Sequence, residues 1–281
     1  RAAMRGDAKA IKNLADMGDK GIAAAQLALG MIYEEGAGVP QNYPEAIKWY
    51  SQAAGQGLAE AEYTLGLMYI KGEGFPTDEV EAIKWFRKAA AQDFAEAQFN
   101  LGLMFYSGEG VTQDDGEAIK WLRKAADKDL AEAQFCLGFM YLAGEGVRRD
   151  AAKAFNWISK AAENGEPNAQ YHLGLMYQSG KGTQRDDAEA VRWFQKAAEK
   201  GNIRAQIHLA SMYHTAEEGG IPRDDAEAAR WYRQAAEQGS RHAQYHLGLL
   251  YRDGKGLTRD QSEAIRWFQQ AAEQGEAGAQ V

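Results

Sequence analysis

Scarcity comes first in this chain. One cysteine, Cys136, stands among 281 residues, so no disulfide can form within the chain and a cysteine-stapled scaffold is excluded. That leaves the compartment open, because an exported protein can lack disulfides. Only five prolines interrupt the sequence. With Ala, Glu, Gln, Lys and Arg frequent, the composition favours helix over sheet. No run of eighteen apolar residues occurs, so no segment is long and apolar enough to insert in a membrane as a helix. Positive charge is also short: the formal net charge is -8 and the pI near 5.3. A nucleic-acid partner would need a basic footprint that displaces counterions from phosphates, and none is expected. The chain begins at Arg1 without a charged-then-apolar leader, which fits either a removed leader or an excised fragment.

What is abundant is repetition. "AEAEYTLGLMYIKGEG" from Ala59, "AEAQFNLGLMFYSGEG" from Ala95 and "AEAQFCLGFMYLAGEG" from Ala131 are near-copies. Tryptophan gives the period: Trp49, Trp85, Trp121, Trp157, Trp193, Trp231 and Trp267 are spaced by 36 residues, with 38 between Trp193 and Trp231. The chain therefore divides into repeats 25–60, 61–96, 97–132, 133–168, 169–204, 205–242 and 243–278. The two extra residues fall near Thr215 to Glu218. Residues 9–22 read as the second half of a repeat with Asn13 in the tryptophan position, so 1–24 is expected to act as a partial N-terminal repeat and cap. Residues 279–281 begin a further copy, which points to a longer array.

Each repeat reads as helix, loop, helix. In the third, Ala97, Leu101 and Met104 mark one face of a first helix at helical spacing. Gly102 recurs as Gly30, Gly66, Gly138, Gly174, Ala210 and Gly248. A mid-helix glycine costs roughly 1 kcal/mol against alanine, so its recurrence implies that another backbone lies too close for a side chain. A G-x-G loop follows. The second helix opens on Asp114 with Glu117 three residues on, a capping-box pattern repeated at Asp78, Asp186, Asp224 and Asp260. Ala118, Trp121, Leu122, Ala125 and Ala126 form its apolar stripe. Gly57, Asp93, Asp129, Gly165, Gly201, Gly239 and Gly275 close it, as a left-handed C-terminal residue would. No single repeat can bury its tryptophan and both stripes alone. The expected fold is all-α, a right-handed superhelical α/α solenoid of seven hairpins.

The pattern L-G-x-x-Y followed by A-x-x-x-F, as in Leu65-Gly66…Tyr69 and Ala82…Phe86, resembles the tetratricopeptide repeat. The longer period, the G-x-G loop and the second-helix tryptophan followed by two alanines make it similar to the Sel-one-like repeat (SLR) family. That resemblance implies a non-enzymatic adaptor or scaffold, often bacterial and often exported, that binds other proteins. The implied location leans to the bacterial periplasm or outside the cell, with the cytoplasm left open. The chain departs from the disulfide-bearing branch of that family, and the resemblance carries over no particular partner.

The first helix leaves its third, seventh, tenth and eleventh repeat positions away from its partner helix. By resemblance to tetratricopeptide arrays these line the concave side. They supply an apolar, aromatic ribbon: Tyr63, Leu67 and Ile70; Phe99, Leu103 and Tyr106; Phe135, Phe139 and Leu142; then Tyr171 and Gln178. Contiguous apolar surface of this kind marks a groove for an extended or helical protein segment. The alternative is that third and seventh positions only fill gaps between adjacent first helices. Two other roles stay open, a structural spacer in a larger envelope or signalling assembly, and a glycan or small-molecule receptor using the aromatic groove. Monomer is the expected state, and no cofactor or metal is implied.

The remaining polar features read as framework. His172, His208 and His246 share one repeat position and would form a row too widely spaced for one metal, and His214 and His242 add no helpful spacing. "SGKGT" at Ser179 to Thr183 lacks the glycine and the preceding strand of a phosphate loop. The acid pairs belong to capping turns, and Cys136 has no catalytic partner pattern around it. No nucleophile, base and oxyanion donor assemble, so no enzyme is expected.

Overall fold

The structure, a computed structural model, describes residues 3–215, 222–276 and 278. Among them are a 3-10 turn (Ala3–Arg5), fifteen α-helices and no strand. The helices are α1 (Ala8–Asp19), α2 (Ala23–Glu35), α3 (Tyr43–Gly55), α4 (Ala59–Lys71), α5 (Glu79–Ala91), α6 (Ala95–Ser107), α7 (Asp115–Ala126) and α8 (Ala131–Ala143). They continue as α9 (Ala151–Glu163), α10 (Pro167–Ser179), α11 (Asp187–Glu199), α12 (Ile203–Thr215), α13 (Asp225–Glu237), α14 (Arg241–Asp253) and α15 (Gln261–Glu273). The chain forms two compact bodies. One runs to Ala133 and includes Glu145–Val147; the other comprises Gln134–Gly144 and the chain from Arg148 onward. Both are stacks of helical hairpins, the all-α repeat architecture that the periodicity predicts. Of the two-residue insertion near Thr215 to Glu218, all but Thr215 lies outside the described residues, as do Ala279 to Val281.

The second helices begin and end as their sequences predict, with one change. Asp114 Oδ1 accepts from Glu117 N at 3.0 Å, and Asp78, Asp186, Asp224 and Asp260 cap in the same way. The reciprocal half of a capping box is replaced. The backbone N–H of Asp114 donates instead to Phe105 O of the preceding first helix at 2.9 Å, with the same bond at Asp78, Asp186, Asp224 and Asp260. The glutamate is thereby released to pair with a cation three residues on, as in Lys120–Glu117 at 2.6 Å and Arg230–Glu227 at 2.7 Å. The closing residues all have positive φ, including the non-glycines Asp93 (64°) and Asp129 (61°).

The core corrects two expectations. Trp49, Trp231 and Trp267 are buried as expected, but in five second helices the residue after the tryptophan lies deeper: Tyr50, Phe86, Leu122, Ile158 and Phe194 are at most 1% exposed. Trp85, Trp121, Trp157 and Trp193 are only half-buried, each with the ammonium of the lysine three residues on above its ring, at 3.8 Å for Lys88 over Trp85. The indoles do lie along the seam: Trp85 packs on the α2–α4 core and Trp121 on the α5–α6 core. One face of each stays wet, however, because the lysine stem lies along it while keeping its charge in water.

The mid-helix glycine, in turn, makes room for a side chain rather than a backbone. A Cβ on Gly66 would stand 2.6 Å from the Phe86 ring, and one on Gly174 the same distance from the Phe194 ring. Close backbone approach occurs at the second loop glycine. At Gly182 (φ 80°) a Cβ would meet Ala151 O, in the first turn of α9, at 2.2 Å.

A buried glutamine ties the hairpins together. Gln26, Gln98, Gln170, Gln206 and Gln244, second in their repeats, each donate Nε2 to a carbonyl eight residues earlier, at the end of the preceding helix. Gln206 Oε1 then accepts from Gln238 Nε2 at 2.8 Å, and Gln26 and Gln244 accept likewise from Gln56 and Gln274. In these three repeats one amide serves three helices, and a buried polar group without partners would cost about 1–3 kcal/mol; the buried Oε1 of Gln98 and of Gln170 has no hydrogen-bond partner among the described residues.

Candidate functional site

First, fifth and eighth positions of each first helix point into the hairpin; Ala97 and Leu101 are fully buried and Met104 nearly so. Third, seventh and tenth positions, at i, i+4 and i+7, fall on the opposite face. The residues at these positions therefore share a face within each body.

In the N-terminal body, Tyr63 is half-buried, 5.7 Å from the Phe86 ring and 5.1 Å from that of Phe94. Its hydroxyl accepts from Asn100 Nδ2 at 3.2 Å, and burial raises its pKa. Leu67 and Ile70 pack half-buried against the α5–α6 core. Phe99 and Leu103 are likewise half-buried. Tyr106 is the exposed member at 39%, its hydroxyl donating to Glu145 Oε2 at 2.8 Å.

In the C-terminal body, Phe139 is 45% exposed and stands edge-on to the His172 ring at 5.9 Å. Phe135 lies 6.4 Å from Phe139 and 5.4 Å from His172. Leu142 and Gln178 are half-buried. Tyr171 sits 5.7 Å from the Phe194 ring and its pKa is raised by burial. Tyr63 and Tyr171 thus lean on the residue after the tryptophan, while Phe139 at the seventh position and Tyr106 at the tenth are exposed.

The histidines are more involved with this face than their spacing alone conveyed. His208 lies 4.4 Å from the Phe194 ring, and His246 stacks on Tyr232 at 5.1 Å and 10°. Burial, then the charge of Arg204, lowers the pKa of His172. Burial also lowers that of His246, to about 4, helped by His242 and His214, and pushes Tyr232 up to about 12. His214 Nδ1 is 2.6 Å from Asp225 Oδ1, and that carboxylate also accepts from Arg223. The proximity of His242 to His246 escaped sequence reasoning that tracked one repeat position at a time; the H-x-x-x-H spacing was the available signal.

The remaining features stay structural. Gly180 and Gly182 of "SGKGT" are left-handed turn residues after α10. Cys136 is partly exposed. Depressions in the C-terminal body, such as one of about 360 Å³ lined by Gln170, Trp193, Lys196 and Lys200, lie along the second helices rather than on the aromatic face.

The Sel1 repeat family model matches residues 23–58, 59–94, 95–130, 131–166, 167–202, 203–240 and 241–276. Among solved structures, a protective antigen of uropathogenic Escherichia coli displaying an SLR fold is 38% identical, with a TM-score of 0.89. The match covers 96% of this chain but 57% of that one, so this chain spans little more than half its relative's length. A Sel1 repeat protein from Oxalobacter formigenes is 36% identical at a TM-score of 0.81, over 96% of this chain and 78% of its own. A comparison with curated proteins finds no match. Sel1 repeat proteins are generally interaction scaffolds on a fold that is generally non-catalytic. With seven matched copies and the same hairpin stack, this chain belongs to the Sel1 repeat family.

Proposed function

We propose that the chain is a non-enzymatic scaffold that holds a segment of another protein against its first helices. The observation that carries this reading is Phe139, a phenyl ring 45% exposed beside Phe135 and Leu142. Exposing such a ring is unfavourable in water and becomes favourable once a partner covers it. Tyr171 and Gln178 extend that surface in the C-terminal body. Tyr63, Leu67, Ile70, Phe99, Leu103 and Tyr106 form the corresponding surface of the N-terminal body. An apolar row at i, i+4 and i+7 spacing suits a peptide that inserts alternate side chains or lays down one helical face.

The N-terminal segment 1–24 serves as a cap on this reading. α1 stands where a second helix would: a Cβ on Gly18 would meet Leu29 and Trp49 at 2.7 and 3.0 Å, so α1 covers the first complete hairpin.

The test is affinity capture from the native source with the unaltered protein and a Phe139→Glu/Leu142→Glu variant of unchanged far-UV circular dichroism. A partner retained by the former and lost by the latter supports the groove. Equal capture by both defeats it, and a spacer role would then show as tolerance of groove changes with failure on deleting one 36-residue repeat.

A further inference from the structure

We propose that His242 and His246, one turn apart on α14, form a binding site for a divalent transition-metal ion of the zinc, nickel or copper class. Their rings are 4.5 Å apart between centroids and inclined by 68°, close enough for both imidazoles to share one ion. Neither ring nitrogen pair makes a hydrogen bond to another described residue, so the lone pairs are uncommitted. His246 is held in place by stacking on Tyr232 at 5.1 Å and by the edge of Tyr245 at 5.5 Å, which fixes one ligand before the ion arrives. His242 is exposed and completes the chelate from the first turn of the helix.

The internal repetition supplies a comparison. His172 and His208 occupy the same repeat position as His246, but the residue four earlier is Asn168 or Arg204. Only α14 places a second imidazole there. Other charged groups on α14 are Arg241, Arg252 and Asp253, the last two paired with each other and Arg241 facing Glu276. From α12 and α13 come His214, tied to Asp225, and Arg233, which donates to Tyr251. Among the described residues no third His, Cys, Asp or Glu converges with the pair. The ion would therefore keep water, or a partner's side chain, on its open positions. Two imidazoles select borderline transition metals over magnesium and calcium, which require oxygen.

The experiment is calorimetric titration of tag-free protein at pH 7.5 with Zn²⁺ and Cu²⁺, and with Mg²⁺ as a control. One Zn²⁺ or Cu²⁺ per chain is expected, with affinity falling at least about tenfold in His242→Ala and His246→Asn. His172→Asn should bind as the unaltered protein does, and Mg²⁺ should not bind. His242 is exposed, so His242→Ala keeps the fold, and circular dichroism verifies it. Electron paramagnetic resonance of the Cu²⁺ form should show two nitrogen ligands, reduced to one in His242→Ala. Absence of Zn²⁺ and Cu²⁺ binding, or binding unchanged by His242→Ala, or equal loss in His172→Asn, overturns the assignment.

Discussion

Trp193 and Phe194 are neighbours on α11, and the structure ranks them against the order that size alone gives. Phe194 is fully buried against Gly174. Truncating a buried phenylalanine to alanine removes its transfer free energy and leaves a cavity, about 3–5 kcal/mol together. Trp193 is half-buried and carries Lys196 Nζ 3.9 Å above its ring. About 100 Å² of its surface leaves water, worth roughly 2.5 kcal/mol at ~25 cal/mol per Å². The exposed cation–π contact adds about 0.5–1 kcal/mol, already included in part because the lysine stem shields the same face. Phe194→Ala should therefore destabilise by about 1–2 kcal/mol more than Trp193→Ala. Urea unfolding followed by far-UV circular dichroism measures this, since indole fluorescence changes with the substitution itself. The comparison is of midpoints at equal slope, because a repeat array can lose its repeats in stages. A Trp193→Ala variant that is the less stable of the two would refute the packing argument.

Other substitutions probe the backbone and the histidines. Gly182→Ala should cost about 2–3 kcal/mol, combining left-handed strain with collision against Ala151 O; thermal melting near that of the unaltered protein would contradict it. Asp129→Gly relieves a non-glycine φ of 61° and should stabilise by about 0.5–1 kcal/mol, read from the urea midpoint. His246 has its pKa lowered from 6.5 to about 4, so the unfolded chain binds the extra proton in that window. Stability should fall as pH drops from 6.5 towards 4 and level off above it; His246→Gln should flatten that slope in pH-dependent melts.

The hairpins, caps and closing turns were legible in the sequence because each is a local signal copied many times: Asp114 with Glu117, or Gly165 and Gly201 at helix ends. The fold class followed from the same repetition. What was not legible depends on which of two adjacent large residues turns inward. Trp85 and Phe86 are both apolar, and only the hairpin geometry shows that the ring at Phe86 fills the notch at Gly66. The role of the glutamine at the second position is not legible, since it involves backbone carbonyls that carry no sequence signal. For the groove, helical spacing placed Phe135, Phe139 and Leu142 on one face, but not that Phe139 would be the open ring while Tyr171 leans on Phe194.

The glutamine tie has a bearing on how such a chain can change length. At Gln26, Gln206 and Gln244 the amide reaches back to the helix before it and is met by the residue that closes the helix after it, so the bonding pattern of those repeats closes on itself once per period. Inserting or excising a whole period re-forms every link with an equivalent neighbour, whereas a cut of half a period strands a carbonyl on one side and an amide on the other. Glu62, which occupies this position in its repeat, accepts from Gln92 but as a carboxylate has no hydrogen to return to the preceding helix. A graft or deletion at that junction would have a single bond of this kind to replace.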